Sequence, residues 1–117
     1  MYKIKDIEKV KDKDGKKVFR FPLKAEQWIV LELKKGTIAG EHYHKGISPV
    51  KNPEVDIILK GKLKYTLKDI KTGKQEEVIV NAMQMIEILP NVYHVVEALE
   101  DSQFIEAFDE AQDRWEL

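Results

Sequence analysis

Residues 36–61 read GTIAGEHYHKGISPVKNPEVDIILKG, and two of the chain's three histidines stand there as His42-Tyr43-His44. In an extended chain, residues two apart point to the same face. Both imidazoles then project side by side, at a spacing one metal ion accepts. On a helix, at ~100° per residue, the pair would splay by about 200°. An extended backbone and a metal-binding reading therefore support each other. Glu54 opens the next apolar run and Gly61 closes it. The third histidine, His94, follows Pro90 by four residues. A histidine taken alone is more often a surface or core residue. Here every histidine of the chain falls into one arrangement with an acid between them. His42, His44, Glu54 and His94 offer three imidazoles and a carboxylate. Such nitrogen and oxygen donors suit one divalent transition metal ion (Fe, Mn, Ni, Co or Zn), with one or two positions left for water or substrate.

Outward from this stretch the pattern is mostly period two. Residues 17–23 and 27–33 read as strands, the second with Trp28, Val30 and Glu32 on one face and Ile29, Leu31 and Leu33 on the other. Residues 55–59 form a continuous apolar run. Leu63, Tyr65 and Leu67 alternate with lysines and a threonine, as a half-buried strand does. A turn at residues 69–74 and a strand at 76–80 complete a hairpin. Residues 85–89, 93–99 and 103–108 add three more strands, and the charged stretch 109–117 is expected to give a turn or two of helix. Short strands at such spacing predict an all-β sandwich or barrel.

At 117 residues the chain is expected to be a single domain spanning 1–117. With 43% apolar and 35% charged residues it reads as a soluble globular protein. No apolar run approaches the ~18 residues that cross a bilayer, so no membrane partner is expected. The first residues, MYKIKDIEKV, are charged throughout and make no secretory signal, so a cytoplasmic location is expected. The net charge of −1, without an arginine cluster, argues against nucleic acid as a partner. The absence of cysteine excludes disulfides, thiolate metal sites and cysteine nucleophiles. Charge is uneven: residues 1–24 hold nine bases and four acids, residues 97–117 eight acids and one base. Such ends read as two solvated faces, or as complementary surfaces within a subunit or across a homodimer.

Gly36, five residues, His42-Tyr43-His44, then Glu54, six residues and Gly61 resemble the first motif of the cupin superfamily. Pro90-Asn91-Val92-Tyr93-His94 resembles the end of the second. The resemblance covers about residues 28–108. It implies a cupin jelly-roll barrel, the double-stranded β-helix, with metal ligands His42, His44, Glu54 and His94 facing the interior. It also makes a homodimer the expected assembly. Two departures stand out. Nine residues separate His44 from Glu54 where the family usually has three or four, so residues 45–53 are expected to form a loop that rims the pocket. Gln84 and Val92 stand where the second motif usually has glycine, and His94 comes one residue early. The stretch is also similar to that of archaeal-type glucose-6-phosphate isomerases, a hint of a sugar or sugar phosphate substrate.

Alternation from Glu54 places Asp56 on the same face. An inward carboxylate there reads as a general base or a hydroxyl-binding group, or else as a satisfied polar residue at the barrel mouth. Tyr65 reads as core or pocket wall, Trp28 as core, and Lys45, Lys51, Lys60 and Lys62 as solubilising charges or an anion attractor. A metal so held polarises a carbonyl and its neighbouring hydroxyl. With Asp56 or Glu54 moving the proton, the expected reaction is isomerisation or epimerisation of a sugar or sugar phosphate. A metal-dependent dioxygenase and a non-catalytic small-molecule-binding module remain alternatives, since fold and ligands do not choose between them.

Overall fold

The structure, a computed structural model, describes residues 1–21 and 23–117. Among these residues eleven strands form and no helix does. In chain order they are β1 (Tyr2–Asp6), β2 (Glu8–Lys13), β3 (Lys16–Arg20), β4 (Gln27–Leu33), β5 (Ile38–His42), β6 (Glu54–Lys60), β7 (Lys62–Asp69), β8 (Gln75–Asn81), β9 (Gln84–Ile88), β10 (Val92–Ala98) and β11 (Ser102–Phe108). One sheet has the order β1-β9-β6-β11-β4, the other β5-β10-β7-β8, and β2 pairs with β3 as a separate hairpin. All pairings are antiparallel. This is the all-β architecture that the strand pattern predicts, in the jelly-roll form that the cupin resemblance implies. No described helix is long and apolar enough to cross a membrane.

The alternation of β7 sets one wall of the core. Leu63, Tyr65 and Leu67 are fully buried between the sheets, while the intervening lysines and threonine face outward. They meet Ile58, Ile86, Ile88 and Phe104 from the opposite sheet. Each such side chain contributes roughly 1.5–3 kcal/mol relative to full exposure. Strand β6 is buried on both faces from Glu54 to Ile58, which is why apolar residues stand on both sides of Asp56. Its outer residues Val55 and Ile57 pack with Ile7, Phe19, Phe21 and Trp28 in a second cluster outside the barrel. Trp28 stacks edge-on against Phe21 at 6.0 Å, so it is core rather than pocket wall.

Three features depart from expectation. Strands β1 and β2 are absent from the sequence reading: β1 shows only two alternating apolar residues, Tyr2 and Ile4, and β2 is exposed throughout. The strand expected at 17–23 ends at Arg20. The stretch 109–117 forms no helix. Asp109 accepts the Ala111 N–H at 3.0 Å and the Ser48 hydroxyl at 2.6 Å. Trp115 makes a β-bridge to Tyr43, with N–H···O distances of 2.9 and 3.0 Å. These side-chain and bridge contacts satisfy the backbone locally, in place of helical hydrogen bonds. The missing glycines of the second motif are also explained. Left-handed backbone stands one residue earlier in each case, at Met83 (φ 65°) and Asn91 (φ 63°).

Candidate metal centre and its carboxylates

Each predicted ligand is placed by a strand or its end. His42 closes β5 and faces His94 of β10 in register. One residue earlier the ladder slips: Val95 pairs with Gly40, leaving Glu41 as an extra residue. Such a bulge re-aims the side chain beyond it, here His42. Gly40 permits it, with φ at 90° and no room for a Cβ, which would lie 2.8 Å from the His94 carbonyl oxygen. His44 follows the strand and Glu54 opens β6. The ring centroids of His42 lie 4.8 Å from His44 and 4.7 Å from His94. The structure thus brings His42, His44, Glu54 and His94 together, with ligand atoms all within 4.8 Å of one another.

The hydrogen bonds fix the tautomers. Nδ1 of His42 donates to the Gly40 carbonyl at 2.9 Å, and Nδ1 of His94 to the Val92 carbonyl at 3.1 Å. Nδ1 of His44 donates to the Asp113 carbonyl. A carbonyl oxygen only accepts, so each Nδ1 carries the proton and each neutral ring turns an Nε2 lone pair inward. Nε2 of His44 lies 3.0 Å from one Glu54 oxygen, and Nε2 of His94 lies 3.3 Å from the other. Lone pairs facing a buried carboxylate require a cation between them, either a proton or a metal ion. Bonds of ~2.1 Å put the ligand atoms of one ion up to ~4.2 Å apart. The donor set therefore fits a divalent ion with only small adjustment.

The electrostatics agree. Burial, then the neighbouring His94 and His44, lower the His42 pKa to about 4, so this ring is neutral, as a ligand must be. Burial opposes charge on His44, but the Glu54 hydrogen bond and charge outweigh it and raise its pKa. Burial likewise opposes charge on Glu54, and His94, His44 and Lys51 together hold it well below the usual carboxylate range.

Beneath the ligands lies a second group, Glu54, Asp56 and Glu106, also within 4.8 Å of one another. Asp56 faces inward, as the alternation predicts, and is 2% exposed. Its Oδ2 accepts the Tyr65 hydroxyl at 2.7 Å, while Oδ1 is the one buried side-chain oxygen without a partner among the described residues. Burial, then Glu54 and Glu106, push its pKa well above the usual range. Glu106 is raised too, by burial and Glu54, with Lys51 opposing. Asp56 and Glu106, opposite each other in the pairing of β6 with β11, therefore both resist ionisation, each carboxyl disfavouring charge on its neighbours.

Sequence reasoning missed Lys51. Of the four lysines near the first motif it alone turns inward, and it is 9% exposed. Its ammonium lies 3.3 Å from Glu54, 3.7 Å from Glu106 and 3.1 Å from the Ala107 carbonyl. No periodicity marks a lysine inside a proline-flanked loop. Two carboxylates interrupt apolar strands: Glu106 of β11 points inward, and Glu87 of β9 pairs with Lys5 at 3.0 Å. The loop 45–53 does rim the site, through Ser48 and Lys51. His42, Glu54, His94, Asp56 and Glu106 open on a cavity of about 230 Å³, also lined by Leu31, Val96, Phe104 and Arg114, while His44 lines the neighbouring one.

No family model matches the sequence, and no curated protein matches it. Solved structures do match the fold. A TDP-quinovose 3,4-ketoisomerase from Campylobacter jejuni aligns with a TM-score of 0.78 at 18% identity, over 99% of this chain and 92% of that one. A dTDP-4-dehydrorhamnose 3,5-epimerase from Sulfolobus tokodaii aligns at 0.72 with 22% identity, over 95% and 72%. A variant 3,4-ketoisomerase from Thermoanaerobacterium thermosaccharolyticum, in complex with TDP-4-keto-6-deoxyglucose, aligns at 0.74 with 16% identity, over 97% and 85%. At these identities the likeness is one of fold. The chain thus has the cupin jelly-roll fold, in the form shared with these sugar epimerases and ketoisomerases.

Proposed function

We propose that this chain is a metal-dependent isomerase or epimerase of a carbonyl sugar or sugar phosphate. One observation carries the reading: the ligand atoms of His42, His44, Glu54 and His94 converge beside a second buried group, Asp56 and Glu106, that shares Glu54 with them. A divalent ion bound by His42, His44, Glu54 and His94 supplies Lewis acidity toward a carbonyl and its neighbouring hydroxyl. The protein's own groups handle the proton. In this reading Asp56 and Glu106 share one proton; passing it to Glu106 leaves Asp56 ionised, and Asp56 then accepts the proton from the carbon beside the carbonyl. Its return to the former carbonyl carbon, with the hydroxyl proton passing to the former carbonyl oxygen, isomerises the sugar; its return to the original carbon after the bound enediol turns its other face to Asp56 epimerises it. Tyr65 fixes the Asp56 carboxyl through Oδ2 and leaves Oδ1 for the reaction. Both oxygens of Glu54 are engaged, one by His44 and Lys51 and the other by His94, so Asp56 rather than Glu54 moves the proton. The sugar chemistry in the names of the fold neighbours supports this choice over a dioxygenase.

The test is deuterium exchange in D₂O. Metal-loaded protein is incubated with a panel of aldoses, ketoses, sugar phosphates and sugar acids, and exchange at the carbon beside the carbonyl is followed by NMR. Metal-dependent exchange without oxygen consumption is expected. Substrate-dependent oxygen uptake would replace the reading with a dioxygenase, and binding without exchange would replace it with a binding module.

A further inference from the structure

The last residues cross the barrel mouth as a latched strap. Asp113 is buried, and its carboxylate accepts the backbone N–H groups of Lys45, Gly46 and Ser48 at 2.8, 3.1 and 3.0 Å. Two residues on, Trp115 is bridged to Tyr43, and the Lys45 ammonium sits 3.6 Å over its ring. Arg114 is thus held on both sides by anchored neighbours. It lines the inner cavity of about 230 Å³ and also an outer one of about 370 Å³ beneath the strap. These two cavities share Glu106 and Arg114.

Arg114 makes no ion pair among the described residues, although eight acids stand between residues 97 and 117. The other non-histidine cation lining these cavities, Lys51, is committed to Glu54 and Glu106. An uncommitted guanidinium at a cavity mouth suits a carboxylate or phosphate, which accept its paired N–H donors in one plane. The inner cavity holds about seven or eight waters at ~30 Å³ each, less than the room typical of drug-sized ligands. Beyond Arg114 the outer wall carries Asp109 and Glu110, whose charge repels a second anionic group.

We propose that Arg114 binds the substrate's anionic group, and that the substrate is a carbonyl sugar with a single carboxylate or phosphate rather than a nucleotide-diphosphate sugar. The placing of its carbonyl end at the ligand cluster rests on the proposed function; the anion site at Arg114 does not. The geometry gives the ligand two ends: a carbonyl in the inner cavity and an anion at the strap.

Calorimetric titration of manganese-loaded and chelator-treated protein tests this with glucuronate, mannose 6-phosphate, inorganic phosphate, thymidine diphosphate and neutral glucose. In the wild type, glucuronate or mannose 6-phosphate binds more tightly than thymidine diphosphate, and the tighter of the two tells carboxylate from phosphate. Arg114→Ala weakens that ligand at least about ten-fold, as loss of a charge-assisted contact does, with metal content and any glucose binding unchanged. Arg114→Lys recovers part of the loss. Affinity within two-fold of wild type in Arg114→Ala, tighter binding of thymidine diphosphate, or no anion binding by the wild type would overturn the proposal. Absence of metal would instead remove the proposed chemistry, while dependence of anion binding on Arg114 in chelator-treated protein would still assign the anion site.

Discussion

In the proposed reaction Asp56 is the residue that moves the proton. It is buried, its charge is disfavoured by burial, Glu54 and Glu106, and it is pinned by Tyr65. Asp56→Asn keeps the shape and the Tyr65 hydrogen bond but removes the proton carrier. The variant should retain its metal by elemental analysis and lose at least about a hundred-fold in exchange rate, the scale of a lost general acid–base group. Full activity would reassign the proton to another group. The inward facing of Asp56 was legible from the sequence, because period two carries it to the face of Glu54. Its protonation was not. That depends on Glu106, which is fifty residues away in sequence and reaches the same spot through the pairing of β11 with β6.

Among elements, the strap at the C-terminus matters most for the site, and it was the least legible. Acidic residues near a chain end read as solvated helix or tail. Here Asp113 spends its carboxylate on three loop N–H groups and its carbonyl on the Nδ1 proton of His44. One residue therefore holds both the loop that carries Lys51 and the ring of a metal ligand. Asp113→Ala keeps that carbonyl but frees the three loop N–H groups whose bonds to the carboxylate hold it in place, so it should lower the melting temperature and, by loosening an outer-shell partner, lower metal affinity about ten-fold. A metal-chelator competition assay reads the second effect, and unchanged affinity would detach the strap from the metal centre. Strand β7 was legible because its apolar period is unbroken, and β6 and β10 because apolar residues flank the polar ones they turn inward. Strands β1 and β2 were not, because β1 offers only Tyr2 and Ile4 to the core and β2 is exposed throughout.

For the whole molecule, a metal bound as proposed would compete with a proton for one place between His44 and Glu54. The His44 pKa is raised above its ordinary 6.5, Glu54 outweighing burial. Protons would therefore begin to displace such a metal already above that pH. Metal affinity should fall as pH drops through this range and level off on its alkaline side. Chelator competition across pH measures this, and a flat profile would exclude His44 as a ligand. Because the metal binds only the assembled site, loading should also raise the melting temperature. The oppositely charged ends of the chain do not neutralise each other. Lys5 pairs with Glu87, Lys9 with Asp12 and Arg20 with Glu8. No ion pair among the described residues joins residues 1–24 to 97–117.

The most direct measurement is the metal stoichiometry of untagged protein by elemental analysis, alongside His42→Ala and His94→Ala. The expected result is one divalent transition metal ion per chain in the wild type and loss of most of it in either variant. A wild type that takes up no manganese, iron, cobalt, nickel or zinc, or variants that keep the full complement, would contradict the metal centre.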